Sequence, residues 1–405
     1  MLKNIVALAV IFCGAGLAWL ILGATLVQRT QNSDSAQTSK LTAQWGSPQT
    51  QPAPQVQARV AVDTYNADKK RTERSYEDIA VPILSSRIDV GLKLDQRRTG
   101  LLWYNLYDVA FSGRYRVRND TSVERLTLHF PFPSNGGTFT NFTCSIGGLP
   151  IVNTTLLDSG AVTFPLKPGA QTTIAVAYLS RGMQSWTYSF GEGVQSVADF
   201  SLAMTTNFDA IDYPPQTLLP SGEKPTGSGW RLYWNYGTLV TSNGIGMAMP
   251  SPMQPGPLAQ RITFWAPVAL LFYFFVMFTI ATLRNVELHP MNYFFLACSF
   301  FAFHLLFAYL VDRIVVEWAF VICSAVSLFL TISYLRLVVG WRFAAVESGL
   351  AQLIYLVLFS YALFNEGWSG LTITIGAIIT LFVVMQVTGR IRWADRFTAI
   401  APAQS

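Results

Sequence analysis

Long apolar segments near the two ends of the chain constrain the fold more than any other feature. One uninterrupted apolar run covers Asn4 to Val27. A long polar, aromatic and turn-rich stretch follows, and five more apolar segments lie in the last third of the chain. Because a helix rises about 1.5 Å per residue, roughly twenty apolar residues cross the hydrocarbon core of a bilayer. The sequence therefore predicts an integral membrane protein with one large domain between its first and second spans.

The C-terminal spans and their orientation follow from hydropathy and loop charge. The predicted spans are Ile262–Leu283, Tyr293–Val311, Trp318–Leu335, Ala344–Phe364 and Trp368–Thr388. With a cytoplasmic N-terminus, the cytoplasmic side receives Lys3, Arg284, Arg336, Arg342, Arg390, Arg392 and Arg396, whereas the short loops opposite hold only Arg313. This positive-inside pattern predicts that both termini are cytoplasmic and that the large domain is exported, which in a bacterium would be into the periplasm.

Five regions are expected along the chain. Residues 1–27 form an anchor, because the run is longer than the apolar region of a signal peptide and lacks a small-residue cleavage site. Residues 28–78 are rich in Gln, Ser, Thr, Ala and Pro, which predicts a flexible tether, with a short helix over Ala67 to Ile79. The remaining regions are an exported β-rich domain at 79–256, five spans at 257–390 and a cytoplasmic tail at 391–405.

The exported region is predicted to be a β domain. Arg87 to Leu94 and Leu126 to Phe130 alternate polar and apolar residues, and Gly- and Pro-rich turns separate such runs. Many short strands favour an antiparallel sandwich. The predicted fold class is therefore membrane α+β, with an N-terminal transmembrane anchor, an exported antiparallel β-sandwich-like domain and a C-terminal bundle of five transmembrane helices. Cys144 is the one cysteine of the exported region, so no disulfide can form within it.

Aromatic residues are frequent in the exported region, and two interpretations stay open for them. They could stack on sugars of the cell wall, or they could form the core of the sandwich. The candidates for ligand contact are Trp103, Tyr104, Trp186, Trp230 and Trp234. Trp45 stands in the expected tether, as a chance aromatic or as an anchor that docks on the domain or the lipid interface.

Catalytic and metal-binding patterns are missing from the sequence. It has no nucleophile elbow, no H-E-x-x-H, no phosphate loop and no paired Cys-x-x-Cys, so we expect neither an enzyme nor a metal or cofactor. The net charge of +5 is modest and does not predict nucleic-acid binding. Expected partners are the lipid bilayer and an envelope protein or cell-wall component.

Two ionisable residues fall within predicted spans, where charge is costly and often functional. His304 lies in the third span, and Glu347 lies one turn into the fifth. The structural alternative is a neutral His304 bonded to a hydroxyl or carbonyl group, with Glu347 either extended to the cytoplasmic interface or paired to Arg342 or Arg336.

Three motifs in the C-terminal part resemble a known family. They are Pro257 to Phe264, Val286 to Tyr293 and Met385 to Trp393; Trp45-Gly46, Gln51, Pro54 and Arg98 to Tyr104 are fainter related elements. Together they resemble the CreD-like inner-membrane proteins. The resemblance implies an N-terminal anchor, a large periplasmic domain, clustered C-terminal spans and a role in envelope integrity and stress response. It implies no enzyme active site.

The Leu-His-Pro element of the second motif has a physical interpretation. Pro290 suits the first turn of a helix, with Glu287 near the positive helix end. His289 could bind a partner or a headgroup, or the element could be a helix-start signal only.

Two functions are therefore expected as alternatives. In the first, the exported domain is a binding or sensing module for the envelope. In the second, the helical bundle is a transporter or channel and the exported domain is an accessory.

Overall fold

The computed structural model describes residues 2–66, 71–134, 136–151, 160–365, 367 and 369–389. The chain divides into two compact units, which are treated separately here. The membrane unit contains the described parts of Met1–Ser35, Gly100–Leu102 and Met253–Ser405. The β unit contains the described parts of Ala36–Thr99 and Trp103–Pro252.

Six helices among the described residues are long and apolar enough to cross a membrane. They are α1 (Leu2–Trp45), α2 (Pro255–Arg284), α3 (Pro290–Leu310), α4 (Val316–Val339), α5 (Phe343–Ala362) and α6 (Ser369–Thr388). The predicted spans agree with these helices to within a few residues, except that α1 and α2 extend beyond theirs. Trp368, Arg390, Arg392, Arg396 and the predicted tail at 391–405 lie outside the described residues.

Helix α5 is irregular. Phe343–Ser348 and Leu353–Leu358 are π-helical, and short α-helical segments, Gly349–Gln352 and Phe359–Ala362, follow them. Each π segment widens the turn and changes which side chains face the bundle. Polar Ser348 and Gln352 are thereby fully buried.

The β unit contains fifteen described strands. They are β1 (Gln49–Pro52), β2 (Gln55–Asn66), β3 (Arg71–Val81), β4 (Ile83–Thr99), β5 (Leu102–Arg118), β6 (Arg125–His129), β7 (Phe139–Ile146), β8 (Leu149–Pro150), β9 (Ala161–Pro165), β10 (Gln171–Met183), β11 (Ser185–Ser189), β12 (Gln195–Thr206), β13 (Gly222–Thr226), β14 (Gly229–Thr241) and β15 (Ile245–Ala248). They form three sheets in the orders β13-β14-β12-β4-β5-β10-β7-β8, β3-β2-β6-β9 and β1-β11-β15.

Most neighbouring strands are antiparallel, and the three sheets share one hydrophobic core. The exceptions are β12 with β4 and β1 with β11, which are parallel. Alternate residues of the long strands face this core, as in β5, where Tyr107, Val109 and Phe111 are buried. The predicted α+β membrane fold with a sandwich-like domain is confirmed.

The predicted tether over residues 28–78 is wrong. Helix α1 continues to Trp45, and β1, β2 and β3 follow. No Gly or Pro interrupts the chain between Val27 and Gly46, so the helix can propagate once the apolar part has formed it. The helix predicted over Ala67 to Ile79 is also wrong from Arg71 onward, where the chain is strand β3; residues 67–70 lie outside the described residues.

Candidate functional site

A cavity of about 800 Å³ lies in the β unit, on the face of the eight-stranded sheet that points away from the core. Strands β4, β5, β7, β10 and β12 supply most of its lining, and the end of α1 supplies one side. The polar side chains in its lining are Gln44, Lys93, Asp108, Thr138, Thr140, Ser180, Arg181, Thr205, Thr206, Asn207 and Ser228. We call this space the sheet cavity.

The sheet cavity exists because small residues occupy its floor. Gly91 of β4 lies beside Ala110 of β5; a Cβ atom added at Gly91 would meet Ala110 Cβ at 3.6 Å and nothing closer. Their strand neighbours, such as Val90 and Val109, point to the opposite face and fill the core. A depression on one face therefore coexists with a well-packed core on the other.

Of the two cationic side chains in the lining of the sheet cavity, only Arg181 is paired with a carboxylate among the described residues. The Arg181 guanidinium Nε lies 3.1 Å from a carboxylate oxygen of Asp108. Lys93 is exposed, and among the described residues no hydrogen bond or ion pair holds its ammonium group. The lining therefore carries a positive charge that is available to a ligand.

The end of α1 is docked on the β unit. Trp45 has the Arg97 guanidinium 4.7 Å from its ring centroid and that of Arg181 at 5.0 Å. Gly46 then takes a positive φ of 88°, and a Cβ there would come within 3.0 Å of the Arg181 carbonyl oxygen. Glycine is needed at this position for both reasons. Of the two interpretations of Trp45, docking against the domain is the one the structure shows.

Three of the five aromatic residues predicted to contact a ligand are buried inside the protein. Trp186 and Trp234 are fully buried and Tyr104 is nearly so, and the Trp234 indole donates to the Leu218 carbonyl oxygen at 2.9 Å. Burial contradicts the sugar-stacking role for these three residues, which instead pack inside the protein. Trp103 and Trp230 are half-buried. The sequence left a core role open for these aromatic residues. The strand register in the structure was needed to show which of the rings are buried.

The membrane unit contains a set of buried polar side chains on α3, α4 and α5. The Gln352 amide donates to Ser327 Oγ at 2.7 Å, and Ser327 Oγ donates to the Ser299 carbonyl oxygen at 2.6 Å. Ser299 Oγ lies 2.6 Å from Thr331 Oγ1. On the other side of α5, Ser348 Oγ lies 3.0 Å from the Tyr273 hydroxyl of α2. These bonds join four helices.

His304 is buried on α3, away from any described carboxylate contact. Its Nδ1 lies 3.0 Å from the Phe300 carbonyl oxygen, so Nδ1 carries the proton, as the structural alternative predicted. Its Nε2 has no hydrogen-bond partner among the described residues. The indole of Trp19 packs edge-on against the imidazole, with centroids 5.6 Å apart.

Glu347 pairs with a different arginine from those predicted. Its Oε1 lies 3.1 Å from an Arg284 guanidinium nitrogen, so the predicted partners Arg342 and Arg336 are wrong. The Glu347 side chain is largely buried, whereas Arg284 is exposed. The pair joins the end of α2 to α5.

The Leu-His-Pro element begins α3. Pro290 is the first helical residue, and His289 is the N-cap, whose Nδ1 accepts from the Met291 N–H at 3.3 Å. Glu287 is exposed just before it. The helix-start interpretation is confirmed, and binding of a partner by His289 stays a prediction. Within the described part of the chain, no three metal-ligating side chains come together.

Comparison with known proteins shows that the C-terminal part of the chain is similar to a known family. The family model described as inner membrane protein CreD matches residues 235–394. No curated protein matches the chain. A crystal structure from Legionella pneumophila, described as a candidate nutrient binding protein, aligns with 11% identity and a TM-score of 0.30, covering 56% of this chain and 76% of that one. This likeness is too weak to support any conclusion. Residues 235–394 are therefore similar to the inner-membrane protein CreD, and six helices among the described residues are long and apolar enough to cross a membrane.

Proposed function

We propose that this protein is a non-enzymatic binding or sensing protein of the bacterial envelope. In this proposal the β unit is periplasmic, both termini are cytoplasmic, and the sheet cavity holds an envelope component. Occupancy of that cavity supports envelope integrity or a stress response, as the family resemblance implies. The observation that carries the proposal is the sheet cavity with its exposed Lys93, which has no partner among the described residues.

The chemistry of the lining selects the class of ligand. The lining combines the hydroxyl groups of Thr138, Thr140 and Thr205 with apolar surface from Trp45 and Leu179. The hydroxyl groups can hydrogen-bond to a hydroxylated ligand, and the apolar surface suits the apolar faces of sugar rings. Lys93 adds attraction for a negative charge, which favours a carboxylated cell-wall saccharide over a neutral one.

Binding can be tested with two matched probes. The disaccharide of N-acetylglucosamine and N-acetylmuramic acid carries a carboxylate, and chitobiose does not. Calorimetry on the purified full-length protein should show tighter binding of the first, and Lys93→Glu should abolish the difference. Lys224→Glu, on exposed β13, is the control. Equal binding of both probes would refute the charge argument.

The role of the cavity in cells can be tested by filling it. Gly91→Leu places a side chain into the floor, where a Cβ meets only Ala110. Gly237→Leu makes the same change on exposed β14, where a Cβ meets nothing within 4 Å. We expect the Gly91 variant to be produced normally but to fail to complement a deletion strain under envelope stress. Full complementation by it would refute the proposal.

A transporter remains the second candidate because the bundle contains buried polar groups. Gln352 Oε1 and His304 Nε2 lack hydrogen-bond partners among the described residues, and intramembrane polar groups often line transport paths. Under this alternative, Gln352→Leu should abolish function without loss of folded protein. Normal complementation by Gln352→Leu would exclude a path through that residue.

A further inference from the structure

The hairpin of β2 and β3 extends beyond the rest of its sheet. The two strands pair from Val56 and Val81 outward to Asn66 and Arg71. Strand β6 pairs with β2 only as far as Ala58, so no third described strand supports the hairpin beyond that residue. A two-stranded ribbon is marginally stable in water without further contacts. A partner surface would therefore stabilise the outer part of this hairpin.

Strand β3 is an edge of this ribbon among the described strands. It is the terminal strand in its sheet, and every residue from Arg74 to Ala80 is exposed. The exposed residues include Tyr76 and Ile79, which are large and apolar. The Arg59 guanidinium lies 5.3 Å from the Tyr76 ring centroid and holds that side chain on one face of the ribbon. Exposed strand edges of this kind are templates for pairing with another strand.

We propose that β3 pairs in an antiparallel manner with β3 of a second copy of this chain, around a two-fold axis at Tyr76. The two four-stranded sheets would then form one continuous sheet across the dimer. This interaction surface is separate from the sheet cavity, and it does not depend on the proposed function.

Backbone geometry limits the registers that such a dimer can adopt. In a β-strand, alternate residues direct their N–H and C=O groups to opposite sides, so residues that face the free edge must oppose residues that also face it. For two copies of the same strand, the axis must therefore pass through a residue rather than between two residues.

The charges of β3 then favour one of these registers. An axis at Arg74, Glu77 or Asp78 would place that charged residue opposite itself, and like charges directly opposite are destabilising. An axis at Tyr76 places Arg74 opposite Asp78 twice and Tyr76 opposite itself. An axis at Ser75 places Arg74 opposite Tyr76 and forms neither charge pair. Within each ribbon Arg74 already lies opposite Asp63, and Asp78 lies opposite Arg59, so the dimer would place opposite charges next to each other across all four strands.

The register can be tested by disulfide crosslinking of the full-length protein in detergent. The exposed native cysteines, Cys13 and Cys298, are first replaced by serine. Tyr76→Cys lies on the axis, so oxidation should give a covalent dimer. Glu77→Cys is the control, because its two copies would be offset by two residues, or about 6.6 Å along the strand, and cannot reach disulfide geometry. Equal crosslinking of both variants, or none of Tyr76→Cys, would overturn the proposal.

The charge pairing can be tested in the Tyr76→Cys background. Arg74→Gln or Asp78→Asn alone should reduce the crosslinked fraction several-fold, because each removes both copies of the charge pair. The double variant should reduce it no further than either single variant, because the same pair is lost. Reductions that multiply in the double variant, with all variants folded, would show that another register or another partner uses this edge.

Discussion

Replacement of Gln51 by leucine tests whether the chain before residue 79 belongs to the folded domain. The Gln51 side chain is fully buried: its Nε2 donates to the carbonyl oxygens of Pro52 at 2.8 Å and Pro131 at 3.0 Å, and its Oε1 accepts from the Tyr178 hydroxyl at 2.6 Å. Leucine removes all three bonds and leaves the buried Tyr178 hydroxyl and the two carbonyl oxygens without these partners. Since each buried polar group left unpaired costs about 1–3 kcal/mol, we expect a loss of about 2–4 kcal/mol in the free energy of unfolding.

The assay is urea unfolding of a soluble fragment, residues 46–252, followed by circular dichroism. Gln55→Leu is the matched control, because Gln55 is exposed on β2, and it should change stability by less than about 0.5 kcal/mol. Tyr178→Phe combined with Gln51→Leu should cost less than the sum of the two single changes, by about 1–2 kcal/mol, because neither partner then remains unpaired. Equal stability of Gln51→Leu and Gln55→Leu would refute the reasoning and favour a tether.

Three further outcomes are expected. Burial raises the pKa of the Cys144 thiol to about 11, so at pH 8, well below that value, maleimide should label Cys144 in the soluble fragment only after denaturation. Glu347→Gln keeps a hydrogen-bonding oxygen near Arg284 and should leave the melting temperature in detergent close to that of the wild type, whereas Glu347→Lys should lower it. Alkaline phosphatase fused after Gly222 should be active and a fusion at the C-terminus inactive; the reverse pair would contradict the predicted orientation.

The membrane helices were predictable because their signal is local. An apolar run of sufficient length is helical in a bilayer whatever surrounds it. The helix start at Pro290 was predictable for the same reason, since proline fixes the backbone of the first turn. By contrast, the π segments around Gln352 have no composition that distinguishes them from α-helix. They depend on how α5 packs against its neighbours.

The tether was mispredicted because composition was given more weight than periodicity. Val56, Ala58, Val60 and Val62 alternate with more polar residues or alanine, which is a strand pattern. The sheet cavity was missed for a different reason. Its floor and charges come from β4, β5 and β10, which are distant in sequence, and Gly91 is informative only when Ala110 is known to lie beside it.

The energetics of the two candidate sites favour binding over transport. In the bundle, Ser299, Ser327 and Gln352 are already bonded to one another across three helices. Each such interhelical bond contributes roughly 0.5–2 kcal/mol to helix association, so a substrate that passed through would have to replace them. In the sheet cavity, Lys93 is exposed and holds no described partner. A negatively charged ligand can reach its ammonium group without breaking any bond within the protein, and this difference is why the β unit is the better candidate for the working site.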